Sequence, residues 1–141
     1  MDKVKKVWNG AAAIIVENNK ILMVKEKEST NWSVPSGGIE KDETPEQACV
    51  REVWEETGFK ALVKEPVHIK RTIIKNYDVT TYYFLCQIVE GQISYRDPDD
   101  EIEEIGWKTA EDISTMQHDY PEDLELLRSF FDKDVLEAEL T

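Results

Sequence analysis

The feature that most constrains the fold of this chain is a full set of helix start and stop signals around residues 44–58. Thr44 suits the N-cap position, Pro45 suits the first helical position, and Gln47 completes a Thr-x-x-Gln capping box. Gly58 can adopt the left-handed conformation that commonly ends a helix. The signals predict a helix over residues 45–57, with its side chains in fixed angular positions.

Three acidic side chains share one face of this predicted helix. Glu52, Glu55 and Glu56 lie at positions i, i+3 and i+4, where like charges destabilise a helix by a few tenths of a kcal/mol per pair. Converging carboxylates suit a hard cation such as Mg²⁺ or Mn²⁺, although the Glu-x-x-Glu-Glu pattern alone is also typical of a solvated acidic face. The opposite face is apolar enough to pack on a sheet, since it carries Ala48, Cys49 and Val53.

The residues before the helix favour a ligand site over a solvated face. A Gly-Gly turn at Gly37 and Gly38 allows the backbone to approach a ligand closely. Glu43 and Arg51 flank the first helical turns at a separation that permits an ion pair. Such a pair would tie the loop to the helix and orient the site.

The spacing of these residues matches a known motif. Residues 37–59 resemble the Nudix box, G-x5-E-x7-R-E-U-x-E-E-x-G-U, in which U is a bulky aliphatic or aromatic residue. Every fixed position is matched, by Gly37, Glu43, Arg51, Glu52, Val53, Glu55, Glu56, Gly58 and Phe59. The resemblance implies an α/β fold, a Nudix-type α/β/α sandwich with a mixed β-sheet and a loop-helix-loop catalytic motif.

The resemblance also implies an activity and the residues that perform it. Nudix proteins typically use Mg²⁺ or Mn²⁺ to hydrolyse a phosphoanhydride bond in a nucleoside diphosphate linked to another group. By that resemblance, the metal ligands in this chain are expected to be the carboxylates of Glu52, Glu55 and Glu56 with the carbonyl of Gly37. Glu43 and Arg51 correspond to the structural pair of the catalytic motif, and Glu52 is also a candidate for activating water.

Many members supply one more carboxylate from a loop just before a Trp-bearing strand. Here that stretch is residues 97–107, which end at Trp107. Glu101 lies six residues before the Trp and fits the family spacing best, as a base or an additional metal ligand. Glu103 and Glu104 are the alternatives. The stretch lacks the spacing of an EF-hand calcium loop.

Substrate contacts outside the box are expected from basic and aromatic side chains. Lys25, Lys27 and Arg71 are candidates for phosphate contacts, although each residue type is more often a surface charge. Tyr77 is a candidate substrate contact because it lies 18 residues beyond Phe59, near a Tyr position of diadenosine polyphosphate hydrolases; a Tyr in a hairpin turn is the alternative. Other aromatic residues able to stack on a base are Trp32, Tyr83 and Tyr120, with core packing the default for Tyr83.

The remaining elements fit a single domain over residues 1–141. Strands are expected at residues 8–16, 21–25, 61–64, 67–75, 79–89 and 103–108, with a hairpin turn around residues 76–78. Short helices are expected at residues 110–114 and 121–131. The resulting order β-β-α-β-β-β-β-α-α fits a mixed sheet between helices.

Charge and hydropathy exclude some partners. With 17 basic and 30 acidic residues, the net charge of −13 repels nucleic acid polymers and anionic membranes. The longest clean apolar run spans residues 11–16, far below the roughly 20 residues of a membrane-spanning helix. The N-terminus lacks the pattern of a secretory signal, so a cytoplasmic protein is expected. Cys49 and Cys86 are expected to be buried, reduced thiols.

The expected substrate follows from two features of the chain, its small size and its complete Nudix box. A small domain with a full box resembles the MutT-like enzymes, so a nucleoside triphosphate pyrophosphohydrolase is the first expectation. A dinucleoside polyphosphate hydrolase is the alternative, followed by a Nudix module that senses nucleotides without cutting them. The expected partner is a small nucleotide. Dimers are common in the family, which makes a homodimer an expectation to test.

Overall fold

A computed structural model describes residues 6–95 and 98–131. A short 3-10 helix at Pro121–Asp123 precedes the last α-helix. In chain order the strands and α-helices are β1 (Lys6–Glu17), β2 (Lys20–Glu26), β3 (Trp32–Ser33), β4 (Ser36–Gly38), α1 (Pro45–Thr57), β5 (Phe59–Ile74), β6 (Tyr77–Gly91), β7 (Ile102–Lys108), α2 (Ala110–Thr115) and α3 (Leu124–Arg128).

The strands form a mixed sheet in which β1 is central. Its main path runs β3-β2-β1-β6-β5, with β4 also paired to β1 and β7 paired to β2. β1 and β6 are parallel over a long register from Lys6↔Tyr77 to Ile15↔Cys86, whereas the other strand pairs are antiparallel. The mixed sheet predicted from the sequence is confirmed.

Helices cover both faces of the sheet. Alternate residues of β1 point to opposite sides, so Ala11 and Ala13 belong to the core under α1, while Ala12 and Ile14 belong to the core under α2 and α3. Burial on both faces explains why the sequence of β1 is a continuous apolar run rather than an alternating one. The α/β/α sandwich is therefore present, with α1 on one face and α2 and α3 on the other.

Three of the predicted elements, two strands and one helix, differ from the structure. The expected strands at residues 61–64 and 67–75 are one strand, β5, which stays paired with β6 through register shifts near Glu65 and Pro66. Proline interrupts the sequence pattern, but a shift in register lets the pairing continue on both sides of it. The expected helix over residues 121–131 is shorter, since a 3-10 turn occupies Pro121–Asp123 and α3 ends at Arg128.

The hairpin between β5 and β6 turns one residue earlier than expected. Ile74 pairs directly with Tyr77, so the turn consists of Lys75 and Asn76, with Lys75 at a φ of 54°. Tyr77 is therefore the first residue of β6 rather than part of the turn. Among the residues described, no helix is long and apolar enough to cross a membrane.

Candidate active site

The predicted caps fix both ends of α1. The Thr44 hydroxyl accepts from the Gln47 backbone N–H at 3.1 Å, and the Gln47 side chain accepts from the Thr44 N–H at 2.9 Å. At the other end, Gly58 has a φ of 85° and its N–H donates to the Trp54 carbonyl at 3.0 Å. The helix bounds were predicted correctly, because these signals are local in the sequence.

Packing sets the rotation of α1. Ala48, Cys49 and Val53 are buried against β1, β5 and β6, as the apolar face predicts. The acidic face consequently turns toward the loop that precedes the helix. The side chains of Glu52 and Glu55 are 13% and 28% exposed, so both carboxylates are partly withdrawn from water.

Gly37 lies directly against the Glu52 carboxylate. A Cβ added to Gly37 would lie 2.2 Å from the carboxyl carbon and 2.3 Å from Oε1, so any side chain at this position would displace the Glu52 carboxylate. Strand β4 holds the backbone there, since Gly37 pairs with Ala11 of β1. The Gly-Gly turn expected from the sequence is therefore a short strand, and it presents backbone rather than side chain to α1.

Arg51 joins the loop to the helix. Its Nε and Nη2 donate to the two oxygens of Glu43 at 2.8 and 3.0 Å, and Nη2 also donates to the Gly38 carbonyl at 2.8 Å. The predicted Glu43–Arg51 ion pair is thus present in bidentate form. The remaining terminal nitrogen, Nη1, donates to Glu52 at 2.7 Å and to Glu55 at 3.2 Å.

The guanidinium and burial act in opposite directions on the acidic groups. The hydrogen bond from Arg51 lowers the pKa of Glu43. Burial raises the pKa of Glu52, and the neighbouring charge of Glu55 adds to the rise, while Arg51 opposes it. Glu52 is thus a carboxylate whose negative charge is costly without further cationic compensation.

Glu56 has a backbone partner that the sequence did not reveal. Its Oε1 accepts from the Ser36 N–H at 3.2 Å, so β4 holds this carboxylate against the start of the box. Across the described residues, no three acidic, His or Cys side chains are already gathered in a metal-binding arrangement. Arg51 instead donates to one carboxylate oxygen of Glu52 and one of Glu55.

The acidic stretch before Trp107 is in contact with β2. Lys27 donates its backbone N–H to the Glu101 carbonyl at 2.7 Å, and its Nζ pairs with Asp100 at 2.8 Å. Lys25 pairs with Glu103 and donates to the Ser29 carbonyl. Both lysines therefore lie beside this acidic stretch, where Glu103 and Glu104 belong to β7 and Glu101 directly precedes it. Asp97 lies outside the described residues.

A cavity of about 330 Å³ adjoins the box. Ser36 lines it, and the same residue binds Glu56 through its N–H. The aromatic lining comprises Trp8, Tyr77, Tyr83 and Tyr120. Lys70 and Thr72 of β5 also line the cavity. Strand alternation places Arg71 between them on the opposite face, so Lys70 is the cation of β5 that lines this cavity.

One end of the cavity carries a cluster that sequence reasoning missed. The Tyr83 hydroxyl donates to Asp123 at 2.7 Å, while the Lys70 ammonium donates to Asp123 and Glu122 at 3.0 Å each. Burial opposes the charge of Lys70, but hydrogen bonds to Tyr83, Glu122 and Asp123 raise its pKa. Burial also raises the pKa of Tyr83. The members come from β5, β6 and the 3-10 helix, so no local pattern could have grouped them.

Comparisons with known proteins agree with the fold and the box. The family profile described as the NUDIX domain matches residues 8–130. An 8-oxo-(d)GTP phosphatase of Mycolicibacterium smegmatis is 27% identical over 116 residues, which cover 82% of this chain and 35% of that protein. The m7GpppN-mRNA hydrolase of Saccharomyces cerevisiae is 38% identical over 107 residues, covering 73% of this chain but only 11% of that protein.

The structural comparison extends over almost the whole chain. A NUDIX hydrolase from Nitrosomonas europaea matches with a TM-score of 0.78 and 26% identity, covering 95% of this chain and 90% of that one. Because the family profile spans most of the chain and includes the complete box, the protein belongs to the Nudix hydrolase family.

Proposed function

We propose that this protein is a divalent-metal-dependent hydrolase that cleaves a phosphoanhydride bond in a nucleoside triphosphate and releases pyrophosphate. The observation that carries the proposal is the junction at Ser36, which lines an aromatic cavity and donates to Glu56 of the acidic helix face. A cavity with aromatic walls suits a nucleoside. A carboxylate cluster beside it suits a cation that binds the attached phosphates.

The residues of the box fit a hard divalent cation such as Mg²⁺ or Mn²⁺. We assign the carboxylates of Glu52, Glu55 and Glu56 and the Gly37 carbonyl as the groups that would hold it, since all of them offer oxygen atoms. Burial makes the charge of Glu52 costly, which a cation would relieve. When bound, the cation supplies charge neutralisation for phosphate oxygens and activation of water.

Arg51 has a positioning role in this proposal. Its bidentate contact with Glu43 and its bond to the Gly38 carbonyl hold the loop on the helix. Its Nη1 donates to Glu52 and Glu55, so a bound cation would compete with Arg51 for these carboxylate oxygens. Binding the cation would then replace one positive charge beside them by another. Glu43 keeps the guanidinium in place during that exchange.

Two carboxylates are proposed to act on the attacking water. Glu52 is the one nearest to the Gly37 backbone, and it would orient or deprotonate water from the helix side. Glu101 is proposed as a base or additional ligand from the loop, because its backbone is anchored to Lys27 at the start of β7. Attack on phosphorus in line with the leaving group favours a base outside the helix.

The nucleoside is proposed to occupy the cavity, with Tyr77 among its stacking partners. Tyr77 is 38% exposed and Trp8 and Tyr120 are each 41% exposed, so their rings remain accessible although they line the cavity. Lys25 and Lys27 remain the proposed phosphate contacts beside the acidic stretch. Each would exchange an acidic partner, Glu103 or Asp100, for a substrate phosphate.

A substrate panel with product analysis tests the proposal. The panel contains the standard nucleoside triphosphates, 8-oxo-dGTP, a dinucleoside tetraphosphate and a 5′-triphosphorylated RNA, each with Mg²⁺, Mn²⁺ or EDTA. Metal-dependent pyrophosphate and nucleoside monophosphate from a triphosphate are expected, with no turnover in EDTA. Preference for the dinucleoside compound or the RNA would replace the substrate assignment. Binding of nucleotides without any product would identify a sensing module, and light scattering on the same sample tests the homodimer.

A further inference from the structure

The structure brings the two cysteines of the chain together. Cys49 of α1 and Cys86 of β6 are 37 residues apart in sequence, yet their Sγ atoms are 3.6 Å apart. Their residues are 1% and 4% exposed, and the core around them joins α1 to the central strands of the sheet. The chain has only these two cysteines, so no other disulfide can form within one molecule.

We propose that Cys49 and Cys86 form an oxidisable dithiol, and that its closure to a disulfide displaces α1 and lowers the activity of the site that α1 carries. The disulfide itself is independent of the proposed function, whereas its effect on hydrolysis rests on that function. A peroxide is the oxidant class. It converts one thiol to a sulfenic acid and releases water; the second thiol then attacks that sulfur and releases a second water.

The geometry of the bond sets the size of the displacement. A disulfide requires an S–S separation of about 2.05 Å, so the two sulfur atoms must approach by about 1.5 Å from their present 3.6 Å. Cys86 lies on a strand paired on both sides, with β1 and with β5. The helix is the more movable partner, and what side-chain rotation does not absorb moves α1 toward the sheet.

The box has little room for such a shift. Glu52 is one turn beyond Cys49 on the same helix, and its carboxylate already lies against the Cα of Gly37. Arg51, next to Glu52, makes directional hydrogen bonds to Glu43 and to the Gly38 carbonyl. A misplacement of about 1 Å in a catalytic site is enough to lower a rate by about 100-fold.

Burial makes the dithiol slow to respond. The hydrogen bond with Cys86 and burial raise the pKa of the Cys49 thiol, whereas the hydrogen bond with Cys49 lowers the pKa of Cys86. Both residues are almost fully buried, so access of the oxidant to the sulfur atoms limits the reaction. Oxidation therefore depends on local opening of the packing between α1 and β6. The expected response is a slow, stable change under sustained oxidant rather than a rapid one.

The test uses the full chain and hydrogen peroxide, stopped with catalase before every assay. One sample of wild-type protein is alkylated in denaturant, and its intact mass is measured by mass spectrometry. A second sample is assayed for hydrolysis and for Mn²⁺ binding. We expect a mass loss of two hydrogens with no alkyl groups added, a fall in activity of at least 10-fold, weaker Mn²⁺ binding, and recovery of all three with dithiothreitol.

Matched variants separate the dithiol from other oxidation. Cys86→Ala and Cys49→Ala each retain one thiol and all three methionines, so both should keep their activity through the same treatment. Loss of activity in these variants would assign the effect to methionine or general damage. Two alkylated thiols in treated wild type would contradict the proposal that the disulfide forms. A disulfide that leaves Mn²⁺ binding and hydrolysis unchanged would contradict the proposal that it lowers the activity. The mass and Mn²⁺ readouts stand even if no nucleotide is cleaved.

Discussion

The Glu52 carboxylate lies so close to the Cα of Gly37 that a Cβ on Gly37 would be 2.2 Å from the carboxyl carbon. Gly37→Ala must therefore displace Glu52 or β4, and we expect kcat to fall by about 100-fold. Gly106→Ala is the control, because its added Cβ meets only the flexible end of Lys108 at 3.3 Å. Steady-state kinetics of both variants give the comparison, and wild-type turnover in Gly37→Ala would remove Glu52 from the site.

Replacing Glu56 by Gln removes one carboxylate charge at nearly constant size. We expect kcat to fall by at least about 100-fold, as for loss of a main electrostatic stabiliser, together with weaker Mn²⁺ binding by calorimetry. Without metal, the variant should be as stable as wild type or slightly more stable, because repulsion from Glu52 is relieved. Glu46→Gln, an exposed residue on the same helix, is the matched control. Full activity in Glu56→Gln would show that the metal is held elsewhere.

The ion pair of Glu43 with Arg51 predicts a specific pH dependence of stability. Because the hydrogen bond from Arg51 lowers the pKa of Glu43 below its ordinary value of 4.5, this stabilisation is complete above that value and is lost as pH falls through the lower, folded-state pKa. Glu43→Gln should lower Tm by roughly 4–9 °C at pH 7. The difference from wild type should shrink steadily in acid below about pH 4.5. A difference in Tm that grows in acid would contradict the assignment.

Glu101→Gln tests the base outside the box. We expect kcat to fall by about 10- to 1,000-fold with little change in Tm, as for a positioned base. Glu104→Gln should cost much less, and so should Glu103→Gln, whose side chain pairs with Lys25. If either of these hurts activity more than Glu101→Gln, the role moves to that residue. If none matters, the base is Glu52 on the helix.

Asp123→Asn tests the polar end of the cavity. Asp123 is 7% exposed and accepts from both Tyr83 and Lys70, so the substitution weakens two charge-assisted bonds that shape the cavity. We expect KM for the preferred nucleotide to rise by about 10-fold with kcat nearly unchanged. Glu125→Gln, an exposed neighbour, should leave both constants as they are. A selective loss of kcat would place Asp123 in the chemistry rather than in binding.

Local signals explain why α1 and its contacts were predictable. Caps at Thr44 and Gly58 and the acidic triplet are all read within a short window, and the Glu43–Arg51 pair spans only two turns. The interruption at Pro66 misled the strand prediction, because pairing with β6 continues through a register shift. Residue patterns indicate the local preference for a strand, whereas pairing with the neighbouring strand decides where the strand begins and ends.

Long-range contacts explain what the sequence left unseen. Lys70 and Asp123 are 53 residues apart, and Cys49 meets Cys86 only because α1 packs over β6. The predicted phosphate contact at Arg71 remains a prediction, and the sequence did not indicate that its neighbour Lys70 lines the cavity. The register shifts along β5 interrupt its alternation of apolar and polar residues, so the sequence pattern does not show which residues face the cavity.

The parallel pairing of β1 with β6 affects how the protein folds during synthesis. Two parallel strands cannot be joined by a tight hairpin. Pairing β1 with β6, as in Ile15↔Cys86, therefore closes a long loop, and the entropy of loop closure is lost before the pairing stabilises the fold. During synthesis, α1 emerges with its caps intact but without β6 to bury Cys49. A nascent chain that ends before Cys86 therefore exposes the apolar face of α1, although the capping residues that specify this helix are already present.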